Sequence, residues 1–261
     1  MWERQTPFQK EWSKLIKQET AYLEKRMEKS DSKLNQFLDG KVPPTLQGTL
    51  DKAFSKAFHT VFEKGTGVIE KTYKKEEIEK QYQINDYVAG LSNTRKSLKA
   101  FSKKAAGSGN VNLAISGVSG VGLGVLGIGI PDIVIFTGLV LKSVYEIALN
   151  YGFDYENEDE KRFILLLIQG ALTHGKEMQE INGRVNAYIE NGRHVATESF
   201  EECIDAAAGC MSKELLYMKF LQGIPLVGAV GGAYDAIYMK QIVKYAEIKY
   251  RRRFLINRNK K

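Results

Sequence analysis

The sequence contains few of the residues on which disulfide-rich, metal-binding or secreted proteins depend. Its 261 residues include two cysteines, three histidines and five prolines. Two cysteines exclude a disulfide scaffold and fit a reducing compartment. The three histidines lie far apart without the spacing of metal ligands, so no metal site is predicted. The first residues lack the basic and apolar regions of a secretion signal, and we therefore expect a cytoplasmic protein.

Catalytic and cofactor motifs are also missing. Residues 122–127 match the pattern G-x-G-x-x-G, but the glycines continue to Gly129-Ile130-Pro131. The next helix therefore starts too late to hold a dinucleotide phosphate. No P-loop lysine follows a glycine run, and Val121 stands where a nucleophile elbow needs glycine. We predict no cofactor and no catalytic residue, which favours a protein that is not an enzyme.

Positive charge is concentrated at the two ends of the chain. Residues 1–104 hold 21 Lys and Arg against 14 Asp and Glu, and residues 223–261 hold nine against two. Three interpretations of the basic C-terminal end are a solvated helix end, contact with anionic lipid headgroups, and nucleic-acid binding. No stacking aromatics are interleaved with these bases, so nucleic acid is not predicted. The residues predicted to contact headgroups are Lys249, Arg251, Arg252, Arg253, Lys260 and Lys261.

Hydrophobic residues recur at helical spacing along most of the chain, which predicts an all-α protein. The segment Thr6-Pro7-Phe8-Gln9 has the pattern of a capping box at the start of a helix. A second amphipathic helix is predicted from Leu46 to a stop at Gly65. The helix that opens at Pro131 is predicted to end at Tyr151-Gly152, because glycine is the natural C-terminal stop. Residues 74–104 are charge-rich and predict two surface helices.

Two glycine-containing hydrophobic segments dominate the second half of the chain. Residues 105–131 contain no charged residue and eight glycines, and Gly223-Ile224-Pro225 repeats the block at residues 129–131. Proline suits the first position of a helix, and glycine allows close helix contact. We predict that the two helices beginning at these blocks pack together centrally. Residues 1–104 form the basic amphipathic N-terminal region and residues 105–261 the core, in one cooperative domain.

The hydrophobic segment at residues 105–141 admits three interpretations. It forms buried helices of a soluble core, a hairpin that leaves the core and inserts shallowly, or a permanent membrane span. A span is disfavoured because glycines lower helix propensity by roughly 1 kcal/mol each and Asp132 costs about 3 kcal/mol near a bilayer centre. The sequence therefore predicts a peripheral protein rather than an integral one.

Two segments of the chain carry a family resemblance. Residues 129–132, followed by Tyr145-Glu146-Ile147-Ala148 and residues 150–154, resemble the first signature block of the EcsC family. Residues 224–233, continuing to Tyr250-Arg251-Arg252-Arg253-Phe254-Leu255, resemble its second block. The founding member is encoded beside the Ecs ABC transporter, which is linked to protein secretion and processing. The resemblance implies a membrane-associated accessory protein and transfers no catalytic residue.

Two functional hypotheses follow. The first is a non-enzymatic accessory protein, peripheral at the inner face of the cell membrane, whose partner is anionic lipid or a membrane transporter. The alternative is a hydrolase or other enzyme acting on a lipid-like substrate in a cleft between the two Gly-Ile-Pro helices. Its candidate polar groups are Asp132, Lys142 and Asp235. The sequence predicts neither the ligand nor the oligomeric state.

Overall fold

The computed structural model describes residues 5–27, 44–92, 94–106, 130–191, 198–221 and 233–260. Within these ranges the chain forms helices and no strand, which confirms the all-α prediction. The helices are α1 (Pro7–Met27), α2 (Pro44–Thr60), a π-helical turn (Val61–Gly65), α3 (Thr66–Glu70), α4 (Lys75–Leu91), α5 (95–106), α6 (Ile130–Asn150), α7 (Glu158–Leu172), α8 (Gly175–Asn191), α9 (Phe200–Leu221) and α10 (Ala233–Asn259).

The helices α6, α7 and α10 form the centre of the fold. Every residue of α7 from Phe163 to Leu172 is buried, and so is every residue of α6 from Val140 onward. The helices α6 and α10 pack against each other, and Ser143 Oγ donates a hydrogen bond to Met239 Sδ at 3.4 Å. This confirms the predicted contact between the two helices. The glycine-rich segments at 107–129 and 222–232 lie outside the described residues.

The N-terminal helices cover this centre. The helix α1 lies on α8 and α10, α2 lies on α6 and α9, and α4 lies on α6. The helix α5 joins α10 through Phe101 and Phe254, whose ring centroids are 4.4 Å apart. Leu15 of α1 and Phe58 of α2 are fully buried in the same core as residues of α10. Helices on both sides of residue 104 therefore share one hydrophobic core.

Two predicted helix ends are confirmed and one is wrong. Gln9 N donates to Thr6 Oγ1 at 3.1 Å and Thr6 N donates to Gln9 Oε1 at 2.8 Å, which completes the capping box. Gly152, just after α6, has the positive φ of +79° that favours glycine. The helix predicted to stop at Gly65 instead passes through the π-helical turn into α3.

One helix in the described part of the chain is long and apolar enough to cross a membrane. It is the window Ile133–Asn150 of α6, and 72% of it is buried inside the fold. Lys142 and Glu146 lie within this window and are themselves buried. A helix surrounded by protein in this way is a core helix, which agrees with the first of the three interpretations for these residues.

A candidate anion-binding groove

Basic residues near the end of α10 pair with Glu19 of α1 in a charge cluster inside the fold. Lys249 is 0% exposed, and its Nζ donates to Glu19 Oε1 and, at 2.7 Å, to Asn186 Oδ1. Arg252 donates to the other Glu19 oxygen at 2.9 Å. Burial lowers the pKa of Lys249 to about 8, while Glu19 opposes the shift. Burial alone raises the pKa of Glu19, but Lys249 and Arg252 outweigh it and leave that pKa below its ordinary value.

The neighbouring arginines are held in the same way. Arg251 donates to Glu11 Oε2 at 2.5 Å, and Glu11 is 1% exposed. Arg253 Nη1 lies 2.7 and 2.9 Å from the two oxygens of Glu160, which also accepts the hydroxyl of Tyr250. A buried ion pair needs such supplementary hydrogen bonds because desolvation otherwise exceeds the Coulombic gain. These arginines therefore connect helices within the fold.

The sequence-based prediction that this end of α10 meets lipid headgroups is therefore wrong for Lys249, Arg251, Arg252 and Arg253. Contact with headgroups requires exposed cations, and the carboxylates of α1, α7 and α8 enclose these four. The solvated-helix interpretation fails for these four residues for the same reason. Lys260 is exposed, with Nζ 3.4 Å from the Glu190 carbonyl oxygen, and Lys261 lies outside the described residues.

The residues predicted for an enzymatic cleft are described only in part. Lys142 is buried on α6, and its Nζ lies 4.0 Å from Glu146 Oε1, one helical turn away. The side chains of Asp132 and Asp235 lie outside the described part of the chain. Of these three predicted groups, the structure describes the surroundings of Lys142.

A groove of about 740 Å³ opens between α1, α5 and α10. Its volume lies within the range of small-molecule sites in proteins. The apolar part of the lining includes Ala100, Ala106, Tyr151 and Ile248. Its basic residues come from three helices, namely Lys14, Arg95, Lys96, Lys99, Lys103, Lys244 and Arg251. A groove with these two kinds of lining suits a ligand that has an anionic group and an apolar part.

Four lysines of the groove have no carboxylate partner among the described residues. All four are exposed, namely Lys14 of α1 and Lys96, Lys99 and Lys103 of α5. Arg95 and Arg251 are instead neutralised in part by Glu11, which accepts from both. Ammonium groups bind phosphate as point charges, and unpaired ones keep that capacity. The charge available to a ligand therefore comes mainly from α5.

A single carboxylate, that of Glu247, belongs to the described lining. Burial raises its pKa, although Lys244 at 3.8 Å and Arg251 both oppose the shift. Seven basic residues stand against this one carboxylate in the described lining, and such an excess of positive charge attracts anions.

The sequence analysis did not identify the α5 lysines as ligand contacts, because the most concentrated basic run was at the C-terminus. A usable signal was present, since residues 87–131 contain no Asp or Glu. Within that interval Lys96, Lys99 and Lys103 recur at steps of three and four, which puts them on one helical face. The missing acids exclude ion pairs within the helix, although Arg95 in the same interval pairs with Glu11 of α1.

The model of the EcsC protein family matches residues 9–255. No curated protein and no solved structure matches the chain.

Proposed function

The chain belongs to the EcsC protein family, and we propose that it is a non-enzymatic, membrane-peripheral accessory protein that binds anionic lipid in its lysine-lined groove. It acts in the cytoplasm at the inner face of the cell membrane. We further propose that it associates with an ABC transporter or with protein secretion, as the family resemblance implies. The observation that carries the lipid part is the set of four unpaired lysines beside an apolar lining.

Lipid fits the groove better than nucleic acid does. Among its described lining residues the aromatic side chain is Tyr151, which is 2% exposed and offers no open face to a base. Proteins that bind single strands place bases on exposed aromatic rings. A phospholipid instead offers a phosphate to the lysines and hydrocarbon to the half-buried Ala100 and Ala106.

The proposal is tested by vesicle binding of the full chain and a lysine variant. Each Lys near an anionic surface contributes roughly 1 kcal/mol, so Lys96→Gln, Lys99→Gln and Lys103→Gln together weaken binding to phosphatidylglycerol vesicles by about a hundredfold. The matched control carries Lys52→Gln, Lys56→Gln and Lys213→Gln, three exposed lysines on α2 and α9. The control loses the same total charge, and we expect it to bind nearly as well as the wild type.

Two results would overturn the proposal. One is equal weakening in the α5 variant and the control, since only total charge would then matter. The other is a wild type that binds anionic and neutral vesicles alike. Competition with glycerol phosphate separates a site for a free phosphate ester from one that needs the lipid, and native mass spectrometry of the purified protein looks for retained phospholipid.

A further inference from the structure

Four large hydrophobic residues are exposed on one face of α4. Ile84, Tyr87, Val88 and Leu91 are 57%, 70%, 44% and 72% exposed, and their spacing puts them in one stripe along the helix. The opposite face packs inward, where Ala89 is 2% exposed and belongs to the core. We call these four residues the α4 stripe.

Such clustering is unusual on the surface of a soluble protein. Single exposed hydrophobic residues are common, whereas contiguous apolar patches mark contacts with membranes or proteins. The other exposed large hydrophobic residues in the described chain are Ile135 and Ile237, which belong to two different helices. The α4 stripe therefore has the character of a contact surface.

The chemistry around the stripe indicates what covers it. Residues 87–106 contain no acid, and α5 begins four residues after Leu91 with the run Arg95-Lys96. Ser97 Oγ donates to the Ser92 carbonyl oxygen at 2.8 Å, which holds the first turn of α5 against the end of α4. The unpaired lysines of the groove thus begin directly beside the apolar stripe.

Asp86, the acid next to Tyr87 in the sequence, does not offer free negative charge. Asp86 lies on the same stretch of α4 and is paired with Arg258 of α10. Tyr87, in the stripe itself, has the amphipathic ring that is enriched where membranes meet water.

We propose that the α4 stripe inserts into the acyl-headgroup boundary of an anionic lipid leaflet. The argument is charge complementarity, because an apolar face flanked by unpaired lysines is the pattern of an interfacial membrane-binding helix. Insertion sets Leu91 in the leaflet and Lys96 and Lys99 among the phosphates. This inference rests on the proposed function, since it states how the groove reaches the lipid.

The experiment places a polarity-sensitive fluorophore on the stripe of the full-length protein. Leu91→Cys is labelled with a nitrobenzoxadiazole dye in a background of Cys203→Ala and Cys210→Ala. With phosphatidylglycerol vesicles, emission from residue 91 shifts to the blue and is quenched by spin-labelled lipids. The same dye at Lys176→Cys, an exposed position on α8, shows neither effect.

A binding measurement accompanies the fluorescence. The variant Ile84→Ser with Leu91→Ser binds these vesicles about tenfold less tightly or worse, because two large apolar side chains no longer enter the leaflet. The control is Ile135→Ser with Ile237→Ser, which removes two other exposed isoleucines. Circular dichroism checks that both variants keep the helical fold.

The outcomes distinguish this inference from the proposed function. If the wild type binds anionic vesicles but the dye at residue 91 stays in water, insertion is overturned while lipid binding by the groove stands. If the dye is already blue-shifted without lipid and the serine variant dissociates a dimer, the stripe is a contact between copies and the inference is overturned. If the wild type binds no anionic vesicle, the proposed function itself fails.

Discussion

Replacing Glu19 by glutamine is expected to destabilise the fold by about 3–5 kcal/mol, the cost of breaking a buried ion pair from one side. The structure gives the reason. Lys249 is 0% exposed, and without the carboxylate its charge is left with neutral partners, such as the amide oxygen of the new glutamine, that of Asn186 at 2.7 Å and the ring of Tyr245. Arg252 retains Glu190 at 2.6 Å and therefore contributes less to the loss.

The loss should depend on pH in a defined direction. Burial lowers the pKa of Lys249 to about 8 even beside Glu19, and removing the carboxylate lowers that pKa further. Below the folded-state pKa, the lysine is charged in both states and the full penalty applies. Above it, the folded variant binds fewer protons than the unfolded chain, whose lysine titrates near 10.5, so its stability rises with pH. The loss relative to wild type therefore shrinks from about pH 6 towards about pH 8.

Urea unfolding of both proteins at these two pH values measures the effect. The control is Glu24→Gln, an exposed glutamate on the same helix, which we expect to change the free energy of unfolding by less than about 0.5 kcal/mol. Adding Lys249→Met to Glu19→Gln should restore at least about half of the loss, since no unpaired charge is then buried. A loss below about 1 kcal/mol, or one that grows with pH, would refute the reasoning.

Two further predictions concern close packing and a buried hydroxyl. Gly170→Ala should destabilise by about 1–3 kcal/mol, because a Cβ there meets the buried ring of Tyr245 at 2.7 Å, whereas Gly183→Ala has open space and should raise or keep the melting temperature. Equal melting temperatures for the two variants would contradict this packing. Tyr155→Phe should cost about 1–2 kcal/mol in urea unfolding, because its hydroxyl donates to Glu70 Oε1 at 2.6 Å. A change within error would show that this hydrogen bond adds nothing to stability.

The failed prediction for the C-terminus has a practical consequence. If the sequence alone guided the choice, charge reversal of Arg251, Arg252 and Arg253 would be the natural test of membrane binding. In the fold it would set new carboxylates beside Glu11, Glu19 and Glu160, where desolvation and repulsion both act against folding. Such a variant would report on stability rather than on lipid contact. The α5 lysines are the informative positions.

Local signals in the sequence predicted helix ends well. The Thr6 capping box and Gly152 depend on residues within four positions, so their chemistry is readable without the fold. The stop predicted at Gly65 failed because the chain continues through a π-helical turn into α3. Packing of that segment against α6 is a tertiary effect that residue spacing does not contain.

The sequence by itself determined the helical class and the family, because hydrophobic period and signature segments are local features of the chain. It also predicted the pairing of α6 with α10, through the repeated Gly-Ile-Pro block at which both helices are predicted to begin. Only the tertiary structure decided which basic residues are available to a ligand. Arg251 lies 240 positions from Glu11, and a count of charges cannot reveal that they meet. Ion pairing depends on distance in space, and the residues of the densest basic run form ion pairs within the fold. The sparser lysines of α5, which have no carboxylate partner among the described residues, remain exposed at the surface.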